Sequence, residues 1–171
     1  TLVQADLATS EGIDGFCQRV RSMELDILVN NAGHLVQRAK LDDFTSDLYD
    51  QVMNLNSKSV YFITQAAVPW MISKGSGIVI NVSSIAARNG GGPGATIYAA
   101  SKASVACITK GLARELAPKG IRVNAVSPGT VDNYFHEKYS NRDILNNVLT
   151  QTPAGTLGTN EEVADVVLFL C

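Results

Sequence analysis

The sequence predicts an α/β domain built on a parallel β-sheet. Short apolar runs rich in Val and Ile alternate with longer stretches of helical spacing. Most of these runs are hydrophobic on both faces, as strands covered by helices on both sides are. Each is followed at once by a polar or glycine-containing loop, and in a parallel sheet such loops gather on one rim, where ligands bind.

In chain order, residues 1–5 (TLVQA) read as a first strand and about 9–23 as a first helix, with 25–30 (LDILVN) as a second strand. A long helix is expected over about 45–73, with Leu48, Val52, Leu55, Phe62, Ala66 and Trp70 at helical spacing. Asn54, Asn56, Ser57 and Ser59 put poor helix formers in its middle. They either face solvent or mark a bend that frees a backbone carbonyl to hold a water. The third strand is 77–83 (GIVINVS). A helix over about 96–118 follows, stopped by Pro118 and Gly120, and the fourth strand is 121–127 (IRVNAVS). The segment from Asp132 to about Thr159 carries Tyr134, Phe135, His136 and Tyr139, aromatics that either line a substrate mouth or pack a lid helix. A last helix starts at Glu161. No linker, repeat or low-complexity stretch divides residues 1–171, which read as a single domain. The chain opens on Thr1 with a strand under way, and its last helix stops at Cys171 without a cap. The domain is therefore expected to be incomplete at both ends.

Composition narrows the function. The chain is 46% hydrophobic and 18% charged with a formal net charge of -2, enough apolar material for a sizeable core. There is no basic excess for nucleic acid and no apolar run long enough for a membrane span. Cys17, Cys107 and Cys171 are odd in number and lack C-x-x-C spacing. They read as reduced thiols of a cytoplasmic protein, with no metal site. Asn81-Val-Ser83 forms a glycosylation sequon, discounted because it ends an apolar strand.

The chemistry gathers after the strands. Asp6 ends the first run, Asn30-Asn31-Ala32-Gly33 the second, Ser83-Ser84 the third and Ser127-Pro128-Gly129-Thr130 the fourth. The helix from 96 then opens on Tyr98-Ala-Ala-Ser-Lys102. Tyr98, Lys102, Val105, Leu112 and Leu116 share one narrow helical face. A lysine on a core-facing stripe is costly to bury unless it has a partner or a task; the alternative is that it snorkels to the surface.

N-N-A-G, N-x-S-S, Y-A-A-S-K and S-P-G-T in this order resemble the short-chain dehydrogenase/reductase family, with Ser84 14 residues before Tyr98 and Pro128 26 after Lys102. The resemblance runs from Asp6 to the end of the chain. It implies a Rossmann-type doubly wound sheet and an oxidoreductase using NAD or NADP on a small carbonyl or alcohol, in a homotetramer or homodimer. By position, Tyr98 corresponds to the general acid/base, Lys102 to the lysine on the nicotinamide ribose, Ser84 to the serine that orients the substrate carbonyl, and Asn56 completes the tetrad. Asp6 matches the aspartate at the adenine, although a lone Asp after a strand equally serves to cap a helix. Asn30, Asn31, Ala32 and Gly33 match the floor under the adenosine ribose. Pro128, Gly129, Thr130 and Val131 match the wall at the carboxamide. Tyr98 and Lys102 thus also belong to the cofactor site. A positive charge ~5 Å from the phenol, at an effective dielectric of ~20, supplies roughly 3 kcal/mol, about two pK units. Lys102 is therefore expected to lower the Tyr98 pKa.

The resemblance also implies a G-x-x-x-G-x-G phosphate turn upstream of Thr1 and a further strand after Cys171. The stretch Asn89–Gly94 (NGGGPG) lacks a G-K-[ST] continuation and reads as a substrate-side loop. Asn133 stands where the family often has threonine, and Thr156 where arginine is common. Reduction of a 3-oxoacyl thioester and oxidation of a sugar or polyol both stay open. So does a non-catalytic protein of the same fold that pairs through helices 45–73 and 96–118.

Overall fold

The computed structural model describes residues 1–171, the side chain of Glu137 excepted. Helix α1 (Ser10–Val20) precedes strand β1 (Ile27–Asn30). Helices α2 (Ser46–Met53) and α3 (Ser59–Lys74) lead to β2 (Gly77–Val82), and α4 (Ala86–Asn89) and α5 (Thr96–Leu116) to β3 (Ile121–Val126). Helices α6 (Tyr134–Tyr139), α7 (Arg142–Gln151) and α8 (Asn160–Leu170) complete the described chain. The strands form a three-stranded parallel sheet in the order β1-β2-β3. Asn30 pairs in register with Asn81, and Val82 with Val126, so the strands deliver their following loops to one edge.

Side chains alternate across a strand. Val79 and Ile80 are nevertheless both fully buried, so β2 is covered on both faces. The main core joins Ile13 and Cys17 of α1, Ile63, Ala67 and Met71 of α3, Val79 of β2, Ile121 and Val123 of β3 and Leu116 of α5. Local chemistry sets the helix starts. The Thr9 hydroxyl accepts from Gly12 N–H at 3.0 Å ahead of α1, and Thr159 and Glu162 form a reciprocal capping box ahead of α8. After α5, Gly120 takes φ 77° and passes so close to the end of α3 that a Cβ there would lie 2.0 Å from the Gly75 carbonyl oxygen. Only glycine fits.

Two expectations change. Residues 1–6 form no strand, and Leu2 is wholly exposed. A parallel strand exists only through its neighbour, and no described strand runs beside this apolar stretch. The long helix is present, but a π-helical turn at Asn54–Lys58 separates α2 from α3. The extra residue rotates α3 relative to α2. Ile63, Ala67 and Met71 are buried, whereas Phe62, expected in the core, is 38% exposed, and Trp70 is only half-buried. No described helix is long and apolar enough to cross a membrane.

Candidate active site

Beneath the edge where the strands end lies a buried polar network. Asn30 Nδ2 donates to Asn81 Oδ1 at 2.9 Å and to Thr64 Oγ1 at 3.0 Å, and Asn81 Nδ2 donates to Thr109 Oγ1 at 2.9 Å. Thr64 and Thr109 pass their own protons to the Val60 and Val105 carbonyls. The network ties β1 and β2 to α3 and α5. Asn30, expected at the adenosine ribose, turns its side chain into this core.

Above it opens a cavity of about 1040 Å³. Ser84, Tyr98 and Lys102 line it together with Asn31, Gly33 and Pro128–Val131. Lys102 is 3% exposed, and its ammonium donates to the Val82 carbonyl at 2.8 Å. Burial pushes its pKa down to about 8. The ammonium stands 5.9 Å from the centre of the Tyr98 ring. The expected lowering of the phenol pKa by Lys102 does not emerge. Burial pushes Tyr98 up, and the opposing influence comes from the Ser84 hydroxyl. Removing the phenolate from water costs more than a lysine already spent on a carbonyl returns.

The two serines are distinct. Ser83 is buried, its hydroxyl donating to the Lys102 carbonyl at 2.8 Å and its N–H to the Val126 carbonyl at 2.8 Å. Ser84 is half-buried and accepts from Ala86 N–H at 3.1 Å as the chain turns into α4. The Pro128 carbonyl accepts from Ile85 N–H at 2.9 Å, fixing the loop after β3 beside the serines.

The π turn brings Asn56 into the same centre. Its side chain is fully buried, and Nδ2 donates to the carbonyls of Val52 and His34 at 2.9 Å each. Two carbonyl acceptors fix the amide orientation, which leaves Asn56 Oδ1 buried without a partner. A Cβ added to Gly33 would lie 2.6 Å from this oxygen and 2.9 Å from Lys102 Nζ. Glycine at 33 therefore keeps open a small space between an unmet acceptor and a buried cation.

Asp6 and Ala32 stand outside the cavity lining, Asp6 exposed and Ala32 also open to solvent. The Asp6 carboxylate accepts from Ala8 N–H at 3.0 Å. On the far wall, Phe135 of α6 rests against Tyr98 with ring centres 5.8 Å apart. Sequence reasoning missed Arg38. Its Nε donates to the Tyr139 carbonyl and its Nη1 to the Pro93 carbonyl at 2.6 and 2.8 Å, bracing the glycine-rich loop to α6. Nothing in the pattern around a lone surface-spaced arginine signals this. His34, given no partner by the sequence, accepts at Nδ1 from Val36 N–H at 2.9 Å and faces the Tyr139 hydroxyl at 3.1 Å. Val36 itself sits at φ 63°, a strained conformation for a β-branched residue.

The arrangement therefore offers a phenol, a serine hydroxyl and a buried ammonium converging on one cavity. The family described as enoyl-(acyl carrier protein) reductase matches residues 1–171. A 3-oxoacyl-[acyl-carrier-protein] reductase of Thermotoga maritima is 44% identical over 146 residues, which are 85% of this chain and 58% of that protein. The chain belongs to the short-chain dehydrogenase/reductase family. Among other short-chain dehydrogenase/reductase relatives, the 2-dehydro-3-deoxy-D-gluconate 5-dehydrogenase of Bacillus subtilis is 34% identical, covering 96% of this chain and 65% of that protein. A crystal structure of a candidate NAD(P)-dependent gluconate 5-dehydrogenase from Beutenbergia cavernae, with NADP bound at low occupancy, superposes with a TM-score of 0.91 at 29% identity over 99% of this chain and 68% of that one. The Rossmann-type α/β fold of the family is the fold observed here.

Proposed function

We propose that this chain carries the active site of an NAD(P)-dependent oxidoreductase that moves a hydride between the nicotinamide and a carbonyl or secondary alcohol carbon of a small molecule. The observation that supports it best is the meeting of Lys102 Nζ and Asn56 Oδ1 at the space Gly33 leaves open, on the cavity that also holds Tyr98. A buried cation on a cavity wall kept clear of side chains by Gly33 fits a ribose hydroxyl, and the unmet Asn56 oxygen behind it, outside the cavity lining, fits a bridging water. Lys102, Tyr98, Asn31, Gly33 and Pro128–Val131 are the residues that would hold NAD or NADP, with Asp6 and Ala32 on the adenosine side and Asn30 bracing the floor from the core. When bound, the dinucleotide supplies or accepts the hydride.

Ser84 holds the substrate oxygen, and Tyr98 exchanges the proton with it. With its pKa pushed up by burial, the phenol keeps its proton at neutral pH, the form needed to protonate a carbonyl oxygen as it is reduced. Lys102 places positive charge at the cofactor side, and Asn56 holds the π turn against the His34 carbonyl. The relatives' names suggest two substrate classes, 3-oxoacyl thioesters and sugar acids. Tyr61 and Phe62, exposed and packed edge to face on α3, support a homodimer or homotetramer formed through that helix. Three free cysteines agree with a cytoplasmic protein.

The test is NADH and NADPH oxidation by the full-length protein against a panel of carbonyl compounds, wild type beside Tyr98→Phe. General acid catalysis is typically worth ~100-fold or more. Loss of kcat on that scale, with cofactor affinity held, is the expected result. A variant that keeps more than about a tenth of kcat overturns the assignment. Absence of turnover favours the non-catalytic reading.

A further inference from the structure

The ionisable side chains lining the cavity, besides Tyr98, are Arg38, Lys102 and His136. Among the described residues no Asp or Glu lines it, although the chain has 16 of them and a net charge of -2. An acidic protein with a cavity of one positive sign selects for an anion.

The cofactor does not account for all of this charge. Lys102 lies on the Gly33 side. Arg38, also on the cavity lining, is held by the carbonyls of Pro93 and Tyr139, and its neighbour Ala39 packs in a cluster with Ile97 and Tyr98. Arg38 is half-buried, and burial lowers its pKa without threatening its charge. No described carboxylate pairs with it; the one ion pair among the described residues is Lys74–Asp26. Two neutral carbonyls from opposite sides fix the guanidinium but do not neutralise it, and they leave N–H donors of the fork unspent. A guanidinium fixed on a cavity wall, with no carboxylate partner among the described residues, matches the two oxygens of a planar carboxylate.

Resting on the oxidoreductase reading, we propose that the substrate is a small oxo- or hydroxycarboxylic acid whose carboxylate is received by Arg38 while Ser84 and Tyr98 act on its carbonyl or alcohol. Phe135 and the carbonyl braces hold the carbon chain between these two ends. An acyl thioester, uncharged next to its carbonyl, makes no use of Arg38.

The experiment uses the full-length protein and a series of oxo acids, with the carbonyl two to five carbons from the carboxylate. Each is paired with its primary amide, and acetoacetyl-N-acetylcysteamine serves as the thioester. Charge-assisted pairing is commonly worth about ten- to a hundredfold. In the wild type the best acid should exceed its amide in kcat/KM by at least ~10-fold. Arg38→Met should collapse that ratio mainly through KM, with the KM for NAD(P)H held, and Arg38→Lys should restore part of it. Equal use of acid and amide, preference for the thioester, a ratio unmoved by Arg38→Met, or a rise in cofactor KM instead overturns the proposal. Calorimetric binding of the same acids reads Arg38 apart from turnover. Acid binding lost in Arg38→Met, in a protein that turns over no carbonyl, sinks the oxidoreductase reading and keeps the carboxylate site. Absence of acid binding sinks the site.

Discussion

The Ser83 hydroxyl donates to the backbone carbonyl of Lys102 at 2.8 Å, and the Lys102 side chain donates back to the carbonyl of Val82, also at 2.8 Å. The end of β2 and the first turns of α5 are therefore clamped to one another in both directions. Ser84, one residue on, takes no part in the clamp.

This separates two adjacent serines by experiment. Ser83→Ala should cost about 0.5–1.5 kcal/mol of stability, since it removes a buried hydrogen bond between β2 and α5, and should show in a denaturant midpoint. Ser84→Ala should leave the midpoint almost unchanged and lose more kcat than Ser83→Ala. Equal losses of activity, or the reverse order, would show that the substrate side of the loop has been misread.

Lys102 gives a pH signature. Its folded pKa, about 8, lies below the ordinary lysine value of 10.5. Below pH 8 the ammonium is charged in both states, and the folded state carries the full cost of burying it. Between about 8 and 10.5 the folded protein releases this proton before the unfolded chain does, so stability rises with pH across that window. The gain is on the order of 3 kcal/mol. Tyr98 and Cys17, both pushed upward by burial, work in the opposite direction. The informative quantity is thus the difference between wild type and Lys102→Met. The variant should be more stable at pH 7, and its advantage should shrink as pH climbs past 8. A constant difference between pH 7 and 10.5 would mean that Lys102 is not buried as a cation.

Gly33→Ala tests the space beside Lys102. The new Cβ would meet Asn56 Oδ1 at 2.6 Å and Lys102 Nζ at 2.9 Å, well inside van der Waals contact. Overpacking of this kind typically costs about 1–3 kcal/mol. NAD(P) affinity in calorimetry should fall with the melting temperature. Unchanged affinity would place the cofactor elsewhere.

Much of this is readable in the residues because the cues are local. Thr159 and Glu162 announce α8 by a capping box, and the Val- and Ile-rich runs at 77–83 and 121–127 become β2 and β3 within a residue. Tyr98 and Lys102 stand at a spacing that only a helix brings together. The features that escape are non-local. Residues 1–5 have strand composition, but a ladder depends on a neighbour. Phe62 follows a strict helical period that the π turn breaks. A lowered Tyr98 pKa follows from distance alone, without the burial that reverses it. Arg38 cannot be found at all, since its partners are carbonyls of residues 93 and 139, whose identity leaves no trace in side-chain pattern.

The π turn at Asn54–Lys58 also fixes how many residues this part of the chain must have. It holds one residue more than an α-helical turn would, and each helical residue advances the direction of its side chain by about 100°. Winding the same residues as a regular α-helix, with none removed, would swing Ile63, Ala67 and Met71 away from α1 and the sheet. The irregularity at Asn56 and the packing of α3 are in this sense a single reading frame. A lineage could not straighten the helix at constant length without exposing the core; a residue would have to be lost at the same time. The distortion that shapes the site is thereby guarded by residues that never touch it.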